Sequence, residues 1–266
     1  MTDDTNRTPR PAATLVLMRE GAADLEAFMV VRHHEIDFAG GALVFPGGKV
    51  DRDDQQVAEI GAAETHDAIN ELDPLGRIAA IRETYEEAGV LFARDARSGT
   101  VLDPRQFSLA DERKRLAAGD LRFSEFLHVQ GLTLDTGALT PFARWIGPRH
   151  MPKRFDTMFY LATSPVDQTG SHDGSESVDS VWISPRQACC EADAGQRTII
   201  FPTRRNLERL AQYGSIAEAL AGAHAQPVLQ VEPFIQDRDG ERYLCIRDDA
   251  GYPVTSELLA KALRGA

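Results

Sequence analysis

Basic residues are in short supply in this 266-residue chain: 29 lysines and arginines stand against 41 aspartates and glutamates, a formal net charge of −12. That balance excludes a nucleic-acid platform, which presents a basic stripe. It leaves room for a small anionic ligand, because bound cations and local arginines can reverse the field at a site. Cysteine is scarcer. Cys189, Cys190 and Cys245 are odd in number and lack framework spacing, so a reducing compartment is expected and a disulfide scaffold is not. The adjacent pair has no partner at zinc-ligand spacing. No apolar run reaches bilayer length, and residues 1–11 are too polar for a secretory leader. The last three residues, Arg264-Gly265-Ala266, form no peroxisomal address. A cytoplasmic location is expected, with no membrane partner and no nucleic-acid partner. Repeats and low-complexity linkers are absent as well.

Hydrophobic content of 42% and charged content of 26% suit a globular chain with a sizeable core. Residues 1–11 read as a flexible tail and 12–266 as a single domain, embellished from about residue 226. Residues 12–18, 25–31 and 42–45 read as strands. Asp73-Pro74 starts a helix, with Asp73 as its N-cap, and Gly89 ends it. Apolar residues at helical spacing follow over 104–129. Strands are expected at 139–146, 155–163 and 180–183, then a helix capped by Ser184 and two more over 203–221. Residues 228–236 and 242–246 flank Asp239-Gly240, a hairpin signal.

The densest chemical signal is Arg82-Glu83-Thr84-Tyr85-Glu86-Glu87-Ala88-Gly89-Val90. On a helix, Glu83, Glu86 and Glu87 span about 100° of one face, while Ile78, Ile81, Tyr85 and Ala88 fall opposite. Carboxylates packed that closely repel one another, and a hard divalent cation is the natural counterpart. Upstream, residues 44–51 read as a strand running into a turn at Gly47-Gly48, where backbone can approach a metal or phosphate closely.

These two segments resemble the Nudix hydrolases, whose box is G-x5-E-x7-R-E-U-x-E-E-x-G-U with U aliphatic. The second half of the box is matched by Arg82, Glu83, Glu86, Glu87, Gly89 and Val90; Thr84 replaces an aliphatic residue. With Gly48 as the first glycine, the first glutamate falls on Asp54. From there to Arg82 lie 27 residues (82 − 54 − 1) where the box has 7, an insertion of 20. An interrupted box flanked by FAGGALVFPGG, IRETYEEAGVLF and RFDTMFYLA resembles the branch that holds peroxisomal acyl-CoA diphosphatases and their bacterial relatives. The implied fold is a Nudix α/β/α sandwich with a mixed β-sheet and a helical insertion within the box, over about 55–72.

The resemblance implies hydrolysis of a nucleoside diphosphate linked to another moiety, with Mg²⁺ or Mn²⁺ as cofactor. The branch points to CoA or acyl-CoA; NADH, ADP-ribose and a non-catalytic nucleotide-binding module remain alternatives, and a homodimer stays open. The metal set it implies is Glu83, Glu87, Glu86 and the carbonyl of Gly47. The catalytic candidates are Glu86 and Glu176 as base, with Arg82 orienting a box glutamate. Asp173 and His172 compete with Glu176 for that role in the polar loop before Trp182. Arg32, Arg149 and Arg154 are the substrate-binding candidates, since arginine forks suit phosphate. A solvated turn is the competing reading for Arg149, His150, Lys153 and Arg154. Asp54, one carbon shorter than the expected glutamate, reads as solvated. Phe155, Phe159 and Tyr160 read as core rather than as a base-stacking surface.

Overall fold

The computed structural model describes residues 8–33, 41–64, 67–103, 110–149, 151, 153–165, 168, 170–173 and 177–263. Its centre is an eight-stranded mixed sheet. The long strand β1 (Arg10–Glu20) turns through Gly21 into β2 (Leu25–Arg32), antiparallel to it. Two short strands follow, β3 (Leu43–Val44) on β2 and β4 (Gly47–Lys49) antiparallel to β1 at Ala12–Thr14. The first helices are α1 (Arg52–Glu59) and α2 (Asp73–Ala88). Next come β5 (Ala93–Asp95), α3 (Ala110–Ala117), α4 (Phe123–Gln130) and β6 (Leu132–Leu134), with β5 and β6 paired apart from the main sheet.

The sheet is completed by β7 (Thr140–Ile146), β8 (Phe155–Thr163) and β9 (Ser177–Ile183). Helices α5 (Pro185–Asp193), α6 (Phe201–Leu210) and α7 (Ile216–His224) lead to β10 (Gln230–Val231). Strand order is β10-β7-β8-β1-β2-β3, with β9 also on β2; β8 runs parallel to β1 and β10 parallel to β7. The C-terminal part is a separate three-stranded sheet of β11 (Phe234–Arg238), β12 (Glu241–Cys245) and β13 (Ser256–Leu258), closed by α8 (Leu259–Ala262).

The period-2 pattern of the strands builds two cores. Ala13, Leu15 and Leu17 of β1, Phe28 and Val30 of β2, and Met158, Tyr160 and Ala162 of β8 meet Ile78, Ile81, Tyr85 and Ala88 of α2. The opposite faces carry Val16, Met18, Ala27, Met29, Phe159 and Leu161, packed with Ala188, Leu207, Ile216 and Ala219 of α5, α6 and α7. The result is an α/β/α sandwich with α2 on one face. The C-terminal sheet joins the second core through Leu244, Ile246 and Tyr252, and the Tyr252 hydroxyl accepts from Trp145 Nε1 at 2.7 Å. No helix among the described residues is long and apolar enough to cross a membrane.

Several local expectations need correction. Gly47-Gly48 is strand backbone on β1, and neither glycine has a positive φ. Asp73 lies inside α2, whose N-cap is Leu72; its carboxylate accepts from Ile69 N and from Arg77 Nε. That buried pair with Arg77 outcompetes capping. Among its described residues the insertion is helical only through Glu59, the end of α1. The strand expected over 228–236 is split at Glu232-Pro233, where proline cannot donate to a ladder.

Candidate active site

Two distant segments converge on Arg82. Asp51 caps α1, and the Asp54 carboxylate closes the capping box by accepting from Asp51 N at 2.7 Å. The same carboxylate receives Arg82 Nε at 2.8 Å and Nη2 at 3.1 Å. Asp54 is therefore 0% exposed, which corrects its reading as solvated. Across the insertion, α1 brings its first turn back to α2. Arg82 Nη2 also donates to Lys49 O at 2.8 Å, fastening β4 to the helix. Nη1 donates to Glu83 Oε1 at 2.9 Å and Glu86 Oε2 at 3.3 Å. Gly47 N donates to Glu87 Oε2 at 3.0 Å, so β4 meets the acidic face along its length.

Glycine is needed here for proximity. A Cβ on Gly48 would overlap the Glu83 carboxylate, and one on Gly47 would lie 2.5 Å from Ala13 O and 2.7 Å from Thr14 Cα. Three carboxylates, Asp54, Glu83 and Glu86, thus bond to one guanidinium, and Glu87 stands beside them against Gly47 N. Burial works against the charge of Arg82, but the bond to Asp54 and the attraction of Glu83, Asp54 and Glu86 hold its pKa above the usual value. Glu86 is raised too, which for a carboxyl favours the neutral form: burial, opposed by Arg82 and aided by Glu83, pushes it up to about 7. An acidic excess of oxygen donors in a partly buried setting suits a hard divalent cation. Among the described residues no three potential ligand side chains are already gathered about one point. The site fits a cation through its donor chemistry and its excess charge.

The NUDT19 Nudix domain family matches residues 60–210, more than half of the chain. A crystal structure of a Nudix hydrolase from Alicyclobacillus acidocaldarius is 32% identical, covers 80% of this chain and 96% of that one, and superposes with a TM-score of 0.72. The chain belongs to the Nudix hydrolase family. The putative nudix hydrolase 7 of Caenorhabditis elegans is 31% identical over 205 residues, 76% of this chain and 61% of that protein. The human acyl-coenzyme A diphosphatase NUDT19 is 30% identical over 152 residues, 53% of this chain and 40% of that one. The chain thus spans only part of these curated relatives. Asp54 and β4 precede the matched family span, and the fold alone brings them to the Nudix helix α2.

The remaining candidates are placed unequally. Arg32 follows Phe28 and Val30 in alternation, on the α2 face of the sheet, and its Nε is buried with no hydrogen-bond partner among the described residues. Arg154 donates to Gly147 O at 2.8 Å and to Glu232 Oε1 at 3.0 Å. Arg149 reaches the same carboxylate at 3.7 Å with its side chain 78% exposed. Both stand at the β7–β8 turn, where Glu232 competes with any phosphate. Asp173 Oδ1 accepts from Ser177 N at 3.0 Å, and His172 Nδ1 lies 3.2 Å from Ser180 Oγ. Glu176 and His150 fall outside the described residues. Phe159 and Tyr160 are buried in the two cores.

Two contacts had no signal in the sequence. Asp53 accepts from Ser124 N and Oγ at 2.8 and 2.6 Å, tying α1 to α4. Arg113 of α3 reaches the end of the Nudix helix, donating to Glu86 O at 2.9 Å. An exposed aspartate and a basic helix residue look alike wherever they occur, so only the fold distinguishes them.

Proposed function

We propose that this chain hydrolyses the diphosphate of CoA or acyl-CoA, giving 3′,5′-ADP and (acyl-)phosphopantetheine, with Mg²⁺ or Mn²⁺. The observation that carries the chemistry is the Asp54–Arg82 pair, which reunites the interrupted box and sets Glu83, Glu86 and Glu87 beside β4. The substrate class is supported by the match to the NUDT19 Nudix domain and by the name of the human relative.

Glu83 and Glu87 would hold the cation, with Glu86 and the Gly47 carbonyl completing the set. When bound, it lowers the pKa of water and neutralises phosphoryl oxygens. Arg82 keeps Glu83 and Glu86 oriented and does not itself meet substrate. Water adds to one phosphorus, and the bridging oxygen leaves with the other. Two carboxylates compete for the proton of that water: Glu86, raised towards neutrality, and Glu176. Arg32, on the α2 face with an Nε that is buried and unpartnered among the described residues, takes a phosphate oxygen. The three cysteines are unpaired, which suits a reducing, cytoplasmic setting.

The test is incubation with Mg²⁺ or Mn²⁺ and a panel of CoA, acetyl-CoA, a long-chain acyl-CoA, NADH and ADP-ribose, with products identified by mass spectrometry. Release of 3′,5′-ADP from the CoA substrates alone supports the proposal. Cleavage of only NADH or ADP-ribose would keep the chemistry and overturn the substrate. No turnover on any compound would favour a nucleotide-binding module.

A further inference from the structure

The Nudix helix ends in an unusual way. α2 has no basic residue in its last turn, although the carbonyls of a helix C-terminus attract cations. The cation comes from α3 instead. Arg113 Nε donates to Glu86 O at 2.9 Å, at the backbone of a box glutamate. Its Nη2 donates to Ser171 O at 2.8 Å, and Nη1 lies 3.4 Å from Ser171 Oγ. Ser171 N in turn donates to Ala88 O at 2.8 Å. Two carbonyls of the last turn are thus satisfied from outside the helix, one by Arg113 and one by the loop that Arg113 grips.

The glycine of the box allows this. Gly89 adopts φ +72°, and a Cβ there would lie 2.8 Å from Arg113 Nη1. The gripped loop, residues 170–173, leads into β9. Gly170 lies against the Phe28 ring, and Asp173 caps Ser177. Burial lowers the pKa of the Arg113 guanidinium, while Asp173, Tyr85 and Glu87 attract its charge. One side chain therefore stands between the carboxylate end of α2 and a loop more than 80 residues further along.

We propose that Arg113 is a positioning residue of the diphosphatase site, holding loop 170–173 and its Asp173 carboxylate in register with the Glu86–Glu87 end of α2. This rests on the function proposed above. Only a planar fork can serve Glu86 O and Ser171 O together. Lysine keeps the charge and loses the bridge. A misplacement of about 1 Å in a catalytic constellation costs up to about 100-fold.

The test uses full-length Arg113→Gln and Arg113→Lys, with kcat, KM, the Mg²⁺ concentration for half-maximal rate, and amide hydrogen exchange over residues 170–173. Both variants are expected to exchange faster in that loop while the interior of α2 stays protected. kcat should fall about 10- to 100-fold, with the Mg²⁺ requirement unchanged because Glu83 and Glu87 stay in place. Arg113→Lys is expected to recover only a minor part of that loss. Unchanged exchange would overturn the proposal, as would a released loop with wild-type kcat or full rescue by lysine. If Arg113→Gln fails to fold, Arg113→Lys decides by the same criteria. A wild type inactive on every diphosphate would sink the functional reading, and the exchange arm would still decide the clamp.

Discussion

Asp54 and Arg82 lie 28 residues apart in the chain and meet in a two-bonded ion pair at 2.8 and 3.1 Å. The aspartate is fully buried and Arg82 nearly so. Removing one partner of such a pair strands a buried charge. Arg82 would keep Lys49 O, Glu83 and Glu86, so Asp54→Ala should cost about 3 kcal/mol, the low end of that class. Asp54→Glu, which restores the usual box residue, should still cost about 1–3 kcal/mol by forcing a methylene into filled space. Urea midpoints with an unchanged slope measure both. A loss below about 1 kcal/mol for Asp54→Ala would mean that the insertion ends are held elsewhere.

The two glycines of β4 should fail differently. A Cβ at Gly47 meets backbone of β1, which cannot move aside, so Gly47→Ala should destabilise the fold by about 1–3 kcal/mol. At Gly48 the obstacle is the far end of the flexible Glu83 side chain. Gly48→Ala should therefore keep its melting temperature and lose most of its activity. Parallel thermal melts and rate assays separate the two, and equal losses of stability would contradict the assignment.

Metal-free protein should lose stability as pH rises from about 4.5 to about 7 through Glu86. Its folded pKa is raised above the ordinary value, so the native state holds more protons than the unfolded state across that window. The contribution is fully present below it and lost as pH climbs through the folded pKa. Melting temperatures in chelator should fall over this range in the wild type and fall less in Glu86→Gln. Equal slopes in the two proteins would remove Glu86 from this role.

Arg32 and Arg149 provide a contrast in substrate affinity. A charge-assisted hydrogen bond is worth about 1.5–3 kcal/mol, so Arg32→Ala should raise KM about tenfold or more. Arg149, exposed and already near Glu232, should be replaceable by alanine with a change of less than about twofold. Steady-state kinetics on the substrate identified by the panel decide between them.

Much of this site could be read from the chain because its signals are local. The acidic spacing on α2, the left-handed stop at Gly89 and the alternation in β1, β2 and β8 each need only neighbouring residues to interpret. Asp54 misled because its environment is made by α2, beyond a 20-residue insertion, and a lone aspartate after a turn is ordinarily solvated. Gly47 and Gly48 suggested a bend, whereas their backbone is extended and the glycines make room for Glu83 and β1. Arg113 left no trace at all, since its partners are carbonyl groups, which every residue carries.

The most direct measurement is the rate of diphosphate cleavage by wild type and Glu87→Gln across a Mg²⁺ titration, with nucleotide affinity measured alongside. Glu87 accepts from Gly47 N and sits where β4 meets the acidic face, so it joins both halves of the site. The expected result is metal-dependent turnover in the wild type, loss of at least about 100-fold in Glu87→Gln and nucleotide affinity largely kept. Turnover in Glu87→Gln within a few-fold of wild type would contradict a diphosphatase site on α2.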